Sequence, residues 1–83
     1  MTVYEVSNSA RREFYVCASS LELDELMSAH CGRPPALIAH WVKGEGIYYE
    51  AVESFGSAAE AKAFVLKYAD VVGRTGWKVL VEP

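Results

Sequence analysis

The sequence has few cysteines, few prolines and no long apolar run, and each shortage excludes a class of protein. Its two cysteines, Cys17 and Cys31, lack the spacing of a zinc site, and neither histidine supplies the missing ligands. Three prolines and six glycines in 83 residues are too few for a fibrous or low-complexity chain. The longest uncharged stretch, residues 34–42, is far shorter than the ~20 apolar residues that span a bilayer. We therefore expect no structural zinc and no membrane-spanning segment.

Positive charge is also scarce. Eight lysines and arginines face eleven aspartates and glutamates, which gives a net charge of −3. The basic residues are scattered along the chain, whereas a nucleic-acid binder gains affinity from clustered lysine and arginine. The charge balance therefore does not support nucleic acid as the partner.

The length and the first residues bear on organisation and location. A chain of 83 residues is long enough for one compact domain and too short for two, so residues 1–83 are expected to form a single domain. Residues 1–5 contain no basic residue followed by an apolar run, so no secretory signal is predicted. We expect a cytoplasmic protein with both cysteines reduced.

Local patterns predict a hairpin followed by a helix. Residues 2–6 and 14–18 are two β-prone runs separated by a polar, turn-like segment, which favours an antiparallel pair. Ser19 and Glu22 have capping-box spacing, and they precede a predicted helix over residues 20–31. Its apolar stripe at helical spacing consists of Leu23, Leu26, Met27 and His30.

The second half predicts a further hairpin, a helix and a last strand. Residues 36–42 and 47–53 are β-prone runs joined by a short glycine-containing loop. Ser57 and Glu60 cap a second helix that ends near Gly73, and residues 77–81 suit a final strand. The expected fold class is α+β, a small antiparallel sheet in the order β-β-α-β-β-α-β with two main helices packed on one face.

The first hairpin resembles the GIY-YIG nuclease family, whose members carry Gly-Ile-Tyr on one strand and Tyr-Ile-Gly on the next. The separation of eleven positions between Tyr4 and Tyr15 is common in that family. Each glycine has changed and each tyrosine is retained. The matching triplets are Thr2-Val3-Tyr4 and Tyr15-Val16-Cys17.

Two later segments continue the resemblance. Residues 23–30 are similar to the family's Leu-x-x-Arg-Leu-x-x-His, and residues 55–61 are similar to its Phe-x-Ser-x-x-Glu-Ala. Leu26 stands where the family has its catalytic arginine, and Val65 stands where it has its metal-binding glutamate. The resemblance therefore implies a GIY-YIG-like fold in which both charged catalytic positions are apolar.

Phosphodiester hydrolysis, as the resemblance implies it, needs the tyrosines, positive charge and a divalent metal. Aliphatic side chains supply neither charge nor metal ligand, so we predict a catalytically degenerate binding or structural module without a cofactor. Its partner is an unknown protein or a second copy of the chain. The alternatives are weak nucleic-acid binding and a divergent GIY-YIG endonuclease that uses Mg²⁺ or Mn²⁺ with replacement charges. The candidate replacements are Arg33, Lys62 or Arg74 for the arginine, and Glu60 or Asp24 for the glutamate.

The vestigial catalytic residues implied by the resemblance are Tyr4, Tyr15 and His30. Each also has a structural interpretation: tyrosines on a hairpin pack their rings and leave the hydroxyl at the surface, and His30 is a partly buried histidine with a main-chain partner. Cys17 is interpreted as a buried small residue, with a reactive thiol as the alternative. Four aromatic residues suit either packing or a stacking surface, namely Trp41, Tyr48, Tyr49 and Trp77.

Overall fold

The computed structural model describes residues 1–82, and it contains a four-stranded sheet with two helices. The strand order across the sheet is β3-β1-β2-β4. The α+β class is therefore confirmed. The elements are β1 (Thr2–Asn8), β2 (Glu13–Ser19), α1 (Leu23–Gly32), a 3₁₀ turn (Ala36–Ile38), β3 (Ile47–Ser54), α2 (Ala58–Gly73) and β4 (Lys78–Val81).

The sheet is mixed, whereas an antiparallel sheet was expected. The predicted hairpin is confirmed, with β1 and β2 antiparallel and Val6 opposite Tyr15. Strand β3 also runs antiparallel to β1, but β4 runs parallel to β2. Because β3 and β4 thus point the same way at opposite edges, the chain crosses the sheet through α2, as parallel strands require a crossover connection.

The two helices lie on opposite faces of the sheet, so the expectation of helices on one face is wrong. Side chains of a strand point alternately to the two faces, and β1 and β2 are apolar on both. Each face therefore needs cover. The α1 face buries Tyr4, Val6, Tyr15, Cys17, Leu26 and Ile38. The α2 face buries Val3, Val16, Ala61, Val65 and Val72.

Helix α2 forms as the sequence predicts. The backbone N–H of Glu60 donates to Oγ of Ser57 at 3.2 Å, which satisfies one of the free N–H groups of the first turn. The helix ends at Gly73, and its buried residues Ala61, Val65 and Val72 pack on the sheet. Within residues 1–82, neither helix combines the length and the apolar character needed to cross a membrane.

Helix α1 begins at Leu23, three residues later than the predicted start at residue 20. Ser19 still belongs to β2, where it pairs with Thr2, and its Oγ accepts from the Leu21 N–H at 3.1 Å, ahead of the first turn of the helix. Glu22 is the N-cap residue instead, and its N–H donates to Oε1 of Glu25 at 3.2 Å. The capping-box pattern therefore exists, but it lies three residues farther along the chain.

The predicted strand over residues 36–42 does not form. Pro35 has φ −56° and ψ 148°, and it leads into the 3₁₀ turn Ala36–Ile38. This segment lies across the α1 face, where Ile38 is buried and Trp41 packs against the same cluster. The position of the second predicted hairpin is thus taken by β3 alone, which pairs with β1.

Candidate functional site

Tyr4 is buried on β1, with its hydroxyl bound inside the protein. The hydroxyl donates to the carbonyl oxygen of Leu21 at 2.6 Å, just before α1. Burial is the main cause that raises the pKa of Tyr4. The hydroxyl was expected at the surface, and that expectation is wrong because a main-chain acceptor lies within reach of the core.

Tyr15 occupies the next strand on the same face and is only 2% exposed. Burial raises its pKa, with the nearby Cys17 thiol as a further cause. Its ring meets the His30 ring edge to face, with centroids 6.1 Å apart. Tyr15 and Cys17 therefore form part of the packed core on the α1 face.

His30, in the last turn of α1, is the polar centre of this region. Its Nδ1 lies 2.8 Å from the Tyr49 hydroxyl of β3, and the two rings are 5.6 Å apart. Burial lowers the pKa of His30, which favours the neutral imidazole. The partner of His30 is thus a tyrosine side chain, not the main-chain group that was expected.

The two apolar positions of the resemblance lie on different faces of the sheet. Leu26 packs in the same cluster as Tyr4 and Tyr15. Val65 packs on Val3 and the α2 face. These four side chains therefore do not form one site. A carboxylate at position 65 would lie across the sheet from Tyr4 and Tyr15.

The candidate replacement charges are also dispersed. Arg33 and Asp24 lie at the two ends of α1, and the other three lie on or next to α2. Two of them already have partners at the ends of α2: Arg74 lies 3.3 Å from Asp70, and Glu60 accepts from the Ser57 hydroxyl at 3.1 Å. Among residues 1–82 no three histidine, cysteine, aspartate or glutamate side chains lie close enough to hold a metal ion.

A pocket of about 270 Å³ opens between α1, the segment after it and β3, and we call it the α1–β3 pocket. Its wall is mostly apolar and aromatic, with one cationic residue. The His30–Tyr49 pair supplies polar atoms to it. The pocket is lined by Met27, His30 and Cys31 of α1, by Pro34, Ile38, Trp41 and Lys43, and by Ile47 and Tyr49 of β3.

Glu45 fixes the loop that carries Lys43 to the pocket. Its Oε1 accepts from the Val42 N–H at 2.7 Å, from Arg11 Nε at 2.9 Å and from Asn8 Nδ2 at 3.1 Å. These bonds, that of Val42 first, lower the pKa of Glu45 to about 2. Gly44, at φ 98°, provides the left-handed turn that brings the carboxylate back to Val42.

Sequence reasoning missed most of this pocket. Met27 was assigned only to a helical stripe, and Cys31, Pro34 and Lys43 carried no functional signal. Glu45 was seen only as part of a hairpin loop. The contacts join positions far apart in sequence, such as His30 and Tyr49, so no local pattern could reveal them.

The four aromatic residues do not form one stacking surface. Trp41 and Tyr49 line the α1–β3 pocket. Trp77 stacks on Phe14 with ring centroids 4.8 Å apart, and Phe14 packs against the α2-face cluster. Tyr48 is 64% exposed. Only the first two therefore contribute to a common site.

The two cysteines are free thiols with different environments. Cys17 is buried, and burial is the main cause that raises its pKa to about 11, which suppresses the nucleophilic thiolate. Cys31 is exposed at the pocket.

No protein-family model, no curated protein and no solved structure matches this chain.

Proposed function

We propose that this chain is a GIY-YIG-like domain without nuclease activity that acts as a binding module through the α1–β3 pocket. The observation that carries the proposal is the pocket wall, which joins apolar and aromatic side chains to the His30–Tyr49 pair and to Lys43. Ligand sites in proteins are typically concave and apolar with a few placed polar groups. A volume of about 270 Å³ suits a small apolar ligand or one or two apolar side chains of a partner.

The absence of nuclease activity is supported by the positions of the groups that hydrolysis would need. The Tyr4 hydroxyl is already bound to the main chain at Leu21. Leu26 and Val65 lie on opposite faces of the sheet and carry no charge. Loss of a single electrostatic group in an active site typically costs about 10²–10³ in rate, and two such groups are replaced in this chain.

The nuclease part of the proposal is tested with branched and single-stranded DNA in Mg²⁺ or Mn²⁺. We expect no cleavage above that of a mock purification. Cleavage that disappears in both Tyr4→Phe and Tyr15→Phe would overturn this part, because those variants remove only the hydroxyls that the resemblance assigns to the reaction.

The binding part is tested with an anilinonaphthalene sulfonate dye, whose rings suit the apolar wall and whose sulfonate suits Lys43. We expect one dye per chain, and weaker binding by about tenfold in Met27→Glu, which places a carboxylate at the pocket. Leu66→Glu is the matched control, since Leu66 is a 60% exposed helical residue on α2. Equal dye binding by the two variants would place the dye elsewhere.

A further inference from the structure

Strand β3 forms one edge of the sheet. It spans eight residues, Ile47–Ser54, contains no proline, and pairs only with β1 among the described residues. An edge strand presents unpaired N–H and C=O groups that can pair with a further strand. Strand β3 is twice as long as the four-residue edge strand β4, and its pairing with β1 is regular from Ile47 to Ala51, before a register shift at Val52. It is therefore the better template of the two edges.

The pairing with β1 shows which β3 groups face away from the sheet. The Ser9 N–H donates to the Gly46 carbonyl at 3.0 Å, so this pair is hydrogen-bonded. Hydrogen-bonded and non-hydrogen-bonded pairs alternate along an antiparallel ladder. In the observed register the N–H and C=O groups of Tyr49 and Ala51 therefore point to the free edge.

The two faces of β3 differ in character. Ile47 and Tyr49 point to the α1 face and line the α1–β3 pocket. Glu50 and Glu53 are exposed and pair with Glu5 and Val3, whose side chains lie on the α2 face. A strand added at this edge would thus meet an apolar pocket on one face, and on the other the two exposed carboxylates beside Val52, which packs against the α2-face cluster.

The charges on and near β3 indicate which kind of strand could pair with its free edge. Strand β3 has two glutamates and no basic residue, and the chain as a whole has a net charge of −3. A second copy paired through β3 would bring four carboxylates together, and like charges across strands are destabilising. Lys43 at the pocket disfavours a basic side chain on that face. The edge therefore favours a strand that is apolar on one face and basic on the other.

We propose that the free edge of β3 captures an extended peptide segment in which apolar residues alternate with lysine or arginine. An apolar side chain enters the α1–β3 pocket, and the basic side chains face Glu50 and Glu53. Main-chain hydrogen bonds supply affinity in such strand addition, and a pocket for alternate side chains supplies specificity. This inference rests on the proposed binding function, and it names the partner of the same pocket.

The probe is a capped peptide of about seven residues in which leucine and lysine alternate. One comparison peptide has the same composition in non-alternating order, and another has glutamate in place of lysine. We expect the alternating leucine–lysine peptide to bind at least about tenfold more tightly than either, because only it matches both faces of the edge. Fluorescence anisotropy of labelled peptides measures the affinities.

Amide hydrogen exchange reports the binding mode. If the peptide adds to the sheet, exchange at Tyr49 and Ala51 slows by at least about tenfold, since their N–H groups gain acceptors. Binding with unchanged exchange at both residues would overturn strand capture and leave only attraction between charges.

Variants at the edge provide an independent check. Glu50→Lys reverses the charge that faces the basic side chains of the bound peptide. We therefore expect about threefold to tenfold weaker binding of the leucine–lysine peptide and tighter binding of the leucine–glutamate peptide. Asp70→Lys is the matched control, because it changes the net charge equally on the exposed side of α2. Ala51→Pro removes an edge N–H, and we expect it to abolish peptide binding while dye binding is kept.

The outcomes separate the two proposals. If the dye occupies the pocket but no peptide binds, strand capture is wrong and the binding pocket remains. If neither binds, both proposals fall. A dimer in sedimentation experiments that Ala51→Pro converts to a monomer would show that a second copy occupies the edge, which overturns the basic peptide as its partner.

Discussion

Trp41 donates a hydrogen bond from its indole Nε1 to Oε1 of Glu13 at 2.7 Å, and the same oxygen lies 2.8 Å from His40 Nε2. Burial by itself would raise the pKa of Glu13, but the bonds from His40 and Trp41 outweigh it and leave that pKa lowered. Glu13 is one of two buried polar residues of the described chain. This contact ties the segment after α1 to the start of β2.

Trp41→Phe tests how much the hydrogen bond from Trp41 to Glu13 contributes to stability. The substitution keeps an aromatic ring but leaves a buried carboxylate with one partner fewer, so we expect the free energy of unfolding to fall by about 1–3 kcal/mol. Urea denaturation followed by circular dichroism gives the value. Trp77→Phe is the control, since Trp77 packs by stacking on Phe14. Equal losses in the two variants would show that ring size, not the hydrogen bond, matters.

Tyr4→Phe is expected to lower the free energy of unfolding by about 1 kcal/mol, because the Leu21 carbonyl loses its donor at 2.6 Å. Tyr48→Phe removes the same atom from a side chain that is 64% exposed, and we expect no measurable change. Thermal and chemical denaturation of both variants provide the comparison. A neutral Tyr4→Phe would contradict a structural role for the hydroxyl.

Leu26→Arg restores the residue type that the nuclease resemblance requires, but it places a cation in the core on the α1 face. Leu26 is 4% exposed, so we expect a loss of about 3–5 kcal/mol, enough to unfold much of the population. Leu26→Met retains the volume and should cost less than about 1.5 kcal/mol. A stable Leu26→Arg variant would indicate that the position can reach solvent.

The lowered pKa of Glu45 indicates that the protein loses stability in acid. Its folded pKa of about 2 lies below the value of roughly 4.3 expected for an unfolded glutamate. Its contribution is therefore present above the unfolded pKa and is lost as pH falls from there through about 2. Glu45→Gln should flatten the decline of melting temperature in that range. Glu53→Gln, at an exposed position of β3, is the control, and an unchanged decline in Glu45→Gln would contradict the prediction.

We expect a thiol reagent to label the two cysteines selectively, because their exposure differs. A thiol reagent should modify Cys31 in the native protein and reach Cys17 only on unfolding, since Cys17 is buried with a pKa of about 11. Mass spectrometry of digested protein locates the label. Because Cys31 lines the α1–β3 pocket, a bulky label there should also block the dye. Labelling of Cys17 at the native rate of Cys31 would contradict the burial.

Local signals were sufficient for part of the fold. The hairpin of β1 and β2 follows from two β-prone runs around a polar turn, and α2 follows from Ser57, Glu60 and an apolar stripe. These patterns work because the residues that decide them are close in sequence. The strand predicted over residues 36–42 was wrong for the opposite reason. Trp41 in this segment binds Glu13, which lies far away in the sequence.

The sheet arrangement and the candidate site depended on long-range contacts. Nothing in residues 78–81 reveals that they pair in parallel with β2, because strand composition does not encode a neighbour's direction. The resemblance grouped Tyr4, Tyr15 and His30 as vestigial catalytic residues. In the structure Tyr4 and Tyr15 lie in the α1-face cluster, and the His30 ring contacts Tyr15. The Tyr49 partner of His30 and the pocket beside it arise only from tertiary packing.

The central position of the first hairpin has a consequence for folding kinetics. β1 and β2 pair across a short turn, whereas β3 reaches β1 through pairs as distant as Thr2 and Ser54. Closing a longer loop costs more entropy before contacts compensate for it. The hairpin is thus expected to form the nucleus, with the edge strands joining later. Substitutions in the hairpin should then slow refolding, while those in β3 should mainly accelerate unfolding.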